Sequence, residues 1–151
     1  MTSTSDAKAY ANVIKHHEGC RLDMYQDTAD PPVWTIGYGH NIDEGIDQET
    51  AEFILERDLL KHMNELDKHK PWWRELPFNS RVVVLSMQFN MGWPRFSKFF
   101  NFWKYLSKAH LTGKAEFITL AAKEMQDSVW WTQIGRRGPD LKKLLLETVE
   151  K

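Results

Sequence analysis

Glu18, Asp27 and Thr35 stand near one another in the chain and carry the side chains that acid–base chemistry needs. Glu18 lies beside Gly19 and the apolar Cys20, where a carboxyl partly removed from water keeps its proton. Asp27 lies in a polar stretch whose backbone groups can keep it ionised. Two carboxyls in unlike environments suit glycosidic cleavage, in which one protonates the leaving oxygen and the other serves water or the sugar. The hydroxyl of Thr35 is suited to hold a water against Asp27.

A helix and a small hairpin are the elements that must position these residues. Apolar residues at helical spacing between Tyr10 and His17 predict a first helix, which Gly19 ends. Over residues 21–38 the pattern changes to short strands, separated by a turn rich in helix and strand breakers at 27–32. The segment therefore predicts a small antiparallel hairpin.

After Gly45 the chain becomes helical and remains so. Asp47 is predicted to cap a long helix that Pro71 breaks and that links two lobes. Phe96, Phe99, Phe100, Trp103 and Leu106 predict one amphipathic helix, which Gly113 separates from the next. Gly135 and the Gly138-Pro139 pair are predicted to precede a final helix that runs through Val149. The pattern predicts an α+β fold that is mostly helical, with one small sheet near the N-terminus.

Composition narrows the class of protein. A length of 151 residues suits one or two closely packed lobes. The net charge of −1 gives no strong steering toward nucleic acid or a membrane. The single cysteine, Cys20, cannot form an intrachain disulfide, which fits a reducing compartment. No apolar run reaches the ~18 residues of a membrane span, and the start of the chain has no signal-peptide pattern, so we expect no membrane insertion and no export signal.

The histidines do not favour a metal site. His16-His17-Glu18 lacks the spacing that places two ligands on one helical face. His62 and His69 stand seven positions apart on a polar helix. Gly37-Tyr-Gly39 lacks the third glycine of a phosphate loop. We therefore expect no metal and no cofactor.

Motifs in a fixed order surround the first three residues. They are His17-Glu-Gly-Cys-Arg-Leu22, Tyr25-Gln-Asp-Thr28 and Trp34-Thr-Ile-Gly-Tyr-Gly-His40, followed by Ala51-Glu52 with Asp58, Phe89-Asn-Met-Gly92, and Ser128, Trp130, Gln133 and Arg137. This ordered set resembles the phage-type lysozymes, the T4 lysozyme-like family of glycoside hydrolases. The resemblance is strong over residues 17–40 and looser over the rest of the chain. It implies a lysozyme-like fold, in which a small N-terminal lobe is joined by a long helix to a helical C-terminal lobe.

The resemblance also implies roles for the three residues. Glu18 would be the general acid, Asp27 would orient or activate the attacking water, and Thr35 would help to position that water. Members of the family invert the anomeric centre. Inversion needs room for a water, so the two carboxyl groups are expected to be about 6.5–9.5 Å apart.

Four further residues are implied to bind substrate. Phe89, Asn90 and Gln133 would line the saccharide cleft. Arg137 would lie near Glu18 and tune its charge. The chain departs from the family pattern at one of these positions, because Asn90 is shorter than the usual amide.

His40 and Asp58 are implied to form a structural pair rather than a catalytic one. An alternative for Asp58 is that it simply belongs to a charged helix face. A second departure from the family lies between Asp27 and Thr35, where the chain is longer and contains Pro31-Pro32.

The leading hypothesis is a muramidase that hydrolyses the β-1,4 bond between N-acetylmuramic acid and N-acetylglucosamine in peptidoglycan. A catalytically silent wall-binding module is a second hypothesis, motivated by the longer turn and by Asn90. A lytic transglycosylase is a third. It needs an acid but no water-activating carboxylate, so Asp27 argues against it.

The resemblance implies a single catalytic domain over residues 1–151. Its N-lobe would span about 15–60, and its C-lobe about 70–151 together with the N-terminal helix. We expect a monomeric endolysin that binds peptidoglycan glycan strands, with no nucleic-acid partner. It would wait in the host cytoplasm until a holin opens the inner membrane and then act in the periplasm. The alternative is a virion-borne lysozyme, which is usually part of a larger tail or fusion protein.

Overall fold

A computed structural model describes residues 4–147 and has an α+β, mostly helical fold, as predicted. Val149, at the end of the last predicted helix, lies outside the described residues. The α-helices and strands, in chain order, are α1 (Thr4–Glu18), β1 (Arg21–Gln26), β2 (Trp34–Gly37), β3 (His40–Asn41), α2 (Gln48–His69), α3 (Phe78–Met91), α4 (Trp93–Phe96), α5 (Phe100–Thr112), α6 (Ala115–Gln126), α7 (Val129–Ile134) and α8 (Arg137–Glu147). Short 3-10 turns span Ile42–Glu44 and Pro71–Glu75.

The chain divides into two compact units, residues 1–53 and 54–151, and the boundary falls within α2. The first unit contains α1 and the sheet, and the second contains α3 to α8. The assignment of the N-terminal helix to the second lobe remains a prediction.

The sheet of the first unit is antiparallel in the order β1-β2-β3. Arg21 pairs with Gly37 and Tyr25 with Thr35, with an irregularity in β1 between Arg21 and Tyr25. The predicted hairpin is therefore present. Strand β3, in which Asn41 pairs with Thr35, is not predicted by the sequence. It has only two residues, too few to show the alternation of apolar and polar residues that indicates a strand.

Helix α1 ends where the sequence predicts, because Gly19 adopts a positive φ of 65° that favours glycine. Its apolar residues share one face, but that face is exposed. Tyr10 is 64% exposed, Val13 61% and Ile14 52%. Nothing along α1 is buried, so packing contributes little to holding this helix.

The second unit contains an apolar core. All buried apolar residues within 4–147 belong to it, namely Leu66, Trp73, Leu76, Val83, Val84, Met87, Phe96, Phe102, Trp103, Leu106, Ala109, Ile118, Ala121, Ala122, Met125, Trp130, Leu141 and Leu145. Phe96 is fully buried, and its ring centroid lies 4.6 Å from that of Trp103. The indole of Trp103 also donates to the carbonyl of Phe96 over 3.0 Å. Aromatic packing and a satisfied indole thus fix the centre of this unit.

A carboxylate secures the end of α2 to the 3-10 turn that follows it. Asp67 accepts from Arg74 Nε over 2.7 Å through Oδ1 and from the Arg74 terminal nitrogen over 2.9 Å through Oδ2. The indole of Trp73 donates to the same Oδ1 over 2.8 Å. The Arg74 hydrogen bonds lower the pKa of Asp67, and Asp67 in turn raises the pKa of Arg74.

Two boundaries differ from the sequence prediction. Gly138-Pro139 lies inside the first turn of α8 instead of before it, since proline is tolerated where helical N–H groups have no partner. A Cβ at Gly138 would lie 3.0 Å from the indole of Trp131, so close packing requires this glycine. The single helix expected around Phe96 is instead α4 followed by α5. No helix among residues 4–147 combines the length and apolar character needed to cross a membrane.

Candidate active site

Asp27 closes the turn between β1 and β2 with its backbone and its side chain. Its N–H donates to the carbonyl of Val33 over 2.9 Å. Its Oδ1 accepts from the N–H groups of Val33, over 2.9 Å, and of Ala29, over 3.1 Å. The turn includes a cis peptide bond between Asp30 and Pro31. Both of these hydrogen bonds to the carboxylate end on Oδ1.

Thr35 is connected to Asp27 through the backbone of Val33. It lies on β2, is 4% exposed, and donates from Oγ1 to the carbonyl of Val33 over 3.0 Å. Val33 thus donates to Asp27 with its N–H and accepts from Thr35 and Asp27 with its carbonyl. The sequence could not indicate Val33, because the contribution is entirely from its backbone.

Glu18 is the last residue of α1 and is exposed. The expectation that its carboxyl is partly removed from water is wrong. The neighbouring side chains expected to shield it are themselves in solvent, since Cys20 is exposed and Leu22 is 84% exposed.

The Glu18 carboxylate lies against the turn between β2 and β3. A Cβ built on Gly39 would be 3.8 Å from Glu18 Oε2, and Gly39 has a φ of 99° that disfavours other residues. One turn earlier in α1, Lys15 Nζ lies 5.7 Å from the ring centroid of Tyr38. Both distances place the end of α1 beside this turn.

An open hollow of about 650 Å³ borders the same turn. Its lining residues are Arg21, Leu22, Ile36, Gly37, Tyr38, Gly39 and His40. Gly39 belongs both to the wall of the hollow and to the contact with Glu18. The acid is therefore next to a concave surface within the first unit.

His40 makes a local contact. Its Nε2 lies 3.0 Å from the carbonyl oxygen of Gly45, which ties β3 to the end of the first 3-10 turn. This contact fits the structural role expected for His40. Its pairing with Asp58 remains a prediction.

In the second unit, two of the predicted substrate-binding residues have their amide oxygens engaged. Asn90, near the end of α3, accepts from the indole of Trp130 over 2.7 Å. Gln133, on α7, accepts from the guanidinium of Arg95. The Arg95 contact was not predicted, and no motif around this residue signals it.

Phe89 and Arg137 also keep exposed surface. Phe89 is 38% exposed, and its ring meets His62 edge-on at 5.5 Å between centroids. Arg137 is exposed and begins α8. Within residues 4–147, no group of three or more histidine, cysteine, aspartate or glutamate side chains is arranged to hold a metal ion.

The profile of the phage lysozyme family matches residues 15–137. The chain belongs to the phage lysozyme family. The match includes Glu18, Asp27 and Thr35, and it extends to Arg137.

Relatives of this phage lysozyme family member differ in size and source. It is 36% identical over 89 residues to an endolysin of Acyrthosiphon pisum secondary endosymbiont phage 1, covering 56% of this chain and 58% of the relative. It is 25% identical to the pre-baseplate central spike protein of Enterobacteria phage T4, covering 96% of this chain and 29% of the relative. It is 26% identical to a Dictyostelium discoideum protein described as probable T4-type lysozyme 2, covering 83% and 86%. The aligned regions thus span less than two thirds of the first two relatives.

Proposed function

We propose that this protein is a muramidase that hydrolyses the β-1,4 bond between N-acetylmuramic acid and N-acetylglucosamine in peptidoglycan. The observation that carries the proposal is the backbone of Val33, whose N–H donates to the Asp27 carboxylate and whose carbonyl accepts from the Thr35 hydroxyl. Membership of the phage lysozyme family supports the assignment.

Glu18 is the general acid in this proposal. It donates its proton to the glycosidic oxygen as the bond to the anomeric carbon breaks, so the leaving sugar departs as a neutral alcohol. Its exposed carboxyl at the end of α1, beside Gly39 and the hollow, leaves room for a sugar ring to approach.

Asp27 and Thr35 orient the attacking water. The Thr35 hydroxyl donates its hydrogen bond to the Val33 carbonyl. The hydroxyl oxygen of Thr35 can therefore act only as an acceptor toward a water. Asp27 Oδ2 accepts a hydrogen bond from the other O–H of that water and takes its proton as the bond between the water oxygen and the anomeric carbon forms. Two acceptors hold both protons, and a lone pair of the water is left to attack the anomeric carbon. Attack from the face opposite Glu18 inverts the anomeric configuration.

Four residues of the second unit bind the substrate in this proposal. Phe89, Asn90, Gln133 and Arg137 contact the glycan strand. The exposed surface of each in the second unit favours this role. The proposed reaction uses no cofactor and no metal.

For the biological setting we infer an endolysin. It would be synthesised in the host cytoplasm, be released through a holin and act on the cell wall as a monomer. Similarity to the endosymbiont-phage endolysin supports the endolysin assignment. A lysozyme unit of a virion protein is a second candidate. It is favoured by the alignment of 96% of this chain with part of the phage T4 spike protein. Both settings use the same chemistry.

The test is Glu18→Gln, which keeps the shape of the side chain and removes the proton donor. We expect the rate of reducing-end release from purified peptidoglycan, and of turbidity loss of outer-membrane-permeabilised Gram-negative cells, to fall by about 10²–10⁴-fold. Glu44→Gln, at an exposed residue of the first 3-10 turn, is the matched control and should keep wild-type rates.

Equal activity of wild type and Glu18→Gln would refute the assignment. Mass spectra of the wild-type products separate the alternatives. Anhydro-muramic ends would indicate a lytic transglycosylase, and binding to peptidoglycan without released ends would indicate a silent wall-binding module.

A further inference from the structure

Two side-chain hydrogen bonds connect α7 with the segment that runs from the end of α3 into α4. Trp130 donates to Asn90, and Arg95 donates to Gln133. Trp130 and Gln133 are three residues apart on α7 and therefore share a face of that helix. The two amides, Asn90 and Gln133, are thus held by adjacent contacts on one side of the second unit.

The chemistry of the partners fixes how each amide is turned. An indole N–H and a guanidinium can only donate hydrogen bonds. Each therefore binds the carbonyl oxygen of its amide and not the NH₂ group. The NH₂ groups of Asn90 and Gln133 are the ends left for other partners, and both residues are exposed.

Arg95 adds positive charge and further donors to the same surface. Its side chain is exposed and has five N–H groups, of which the contact with Gln133 uses only part. Neither α4 nor α7 contains an acidic residue. The exposed polar groups of Asn90, Arg95 and Gln133 form a surface of donors, which we call the donor patch.

We propose that the donor patch binds a carboxylate and that Arg95 is a specificity-determining residue. A carboxylate offers only acceptors and a negative charge, and so complements two amide NH₂ groups and a guanidinium. Arg95 acts in two ways, because it contacts the ligand and also holds the Gln133 amide in the orientation that presents its NH₂ group. The identification of the carboxylate with one carried by a wall peptide on the muramyl residue rests on the proposed function.

The direct test is a titration followed by the side-chain NH₂ resonances of Asn90 and Gln133 in ¹⁵N-labelled protein. The probes are acetate, muramyl dipeptide, and the same dipeptide with its carboxyl groups converted to amides. We expect the charged dipeptide to shift both pairs of resonances and the neutral one to bind up to about five-fold more weakly, the range for an exposed charge pair. Shifts with acetate as well would show that the patch takes any carboxylate, and shifts with the charged dipeptide alone would show that it needs the muramyl group.

The matched variants are Arg95→Gln and Lys123→Gln, which remove the same charge. Lys123 is an exposed residue of α6 outside the donor patch. Arg95→Gln should abolish the preference for the charged dipeptide, and Lys123→Gln should keep it. Resonances that respond to neither acetate nor the charged dipeptide, or a preference that survives Arg95→Gln, would overturn the proposal.

A cleavage assay distinguishes failure of this proposal from failure of the proposed function. Arg95→Gln should raise KM for peptidoglycan with free carboxylates while leaving kcat near the wild-type value. If wild type releases no reducing ends but the titration still shows charge-dependent binding, the muramidase assignment fails and the donor patch stands. If cleavage is normal and peptidoglycan with free carboxylates gives the same KM with wild type and Arg95→Gln, the donor patch fails alone.

Discussion

The sheet of the first unit and the helices of the second are held by different forces. Among residues 4–53 only Thr35 is buried, whereas residues 66–145 supply the whole apolar core of the described chain. Four hydrogen bonds set the geometry around Asp27. Its carboxylate accepts from the N–H groups of Ala29 and Val33, and the Val33 carbonyl accepts from the Asp27 N–H and the Thr35 hydroxyl. Hydrogen bonds orient the Asp27 carboxylate without burying it, which suits its proposed role toward a polymeric substrate in water.

Asp67 in the second unit and Asp27 in the first differ in the hydrogen bonds that their carboxylates accept. Asp67 has both oxygens engaged by Arg74 and one of them also by Trp73. Asp27 has two hydrogen bonds on Oδ1, and in the proposed mechanism its Oδ2 accepts from the attacking water. A carboxylate with a cation on both oxygens secures structure, whereas one fixed through a single oxygen keeps the other for chemistry.

The largest change in the free energy of unfolding is expected for Phe96→Ala, in the core of the second unit. Phe96 is fully buried among other aromatic rings, so its truncation leaves a cavity and should lower the free energy of unfolding by about 3–5 kcal/mol. Phe100→Ala removes the same group from a side chain that is 74% exposed and should change stability by less than about 0.5 kcal/mol. Urea unfolding followed by circular dichroism measures both. If the two variants lower the free energy of unfolding by similar amounts, apolar packing does not stabilise the second unit.

A smaller effect, and one that depends on pH, is expected for Asp67→Asn. The pKa of Asp67 is lower in the folded protein than its ordinary value of 3.8, so this group stabilises the fold above that pH and the contribution is lost as pH falls through the folded value. Because the pair is partly exposed, we expect a loss of about 0.5–1 kcal/mol at pH 7. The difference from wild type should shrink below pH 4 or so.

Unfolding curves at several pH values test this, with Asp127→Asn, an exposed aspartate at the end of α6, as the control. A destabilisation by Asp67→Asn that stays constant from pH 7 to acid would contradict the ion-pair explanation. Loss of muramidase activity with unchanged stability would contradict the structural role of Asp67.

The sequence predicts those features that depend on one residue's own chemistry. Gly19 ends α1, and Gly113 ends α5 in the left-handed conformation. Asp47 caps α2 by accepting from the N–H of Thr50 over 2.8 Å. Hydrogen bonds from the Thr50 side chain and then from its backbone lower the pKa of Asp47. Each of these follows from a local preference that the neighbouring residues do not override.

Features set by partners distant in the chain were not predictable. Arg95 and Gln133 are 38 positions apart, and no local pattern relates them. The exposure of Glu18 does not follow from its apolar neighbours in the sequence, because Leu22 itself is 84% exposed. The ordered motifs in the sequence identify the side chains of the candidate site. The contribution of the Val33 backbone is visible only in the structure.

The most direct test of the central claim, that Asp27 is fixed by its turn and serves a water, is Asp27→Asn measured for activity and stability together. Asparagine keeps an oxygen that can accept from Val33 and Ala29, so the turn should survive, but its amide cannot take a proton from water. We predict that kcat for reducing-end release falls by about 10²–10⁴-fold while the free energy of unfolding changes by about 1 kcal/mol or less. Near-wild-type kcat in a folded Asp27→Asn protein would contradict the account.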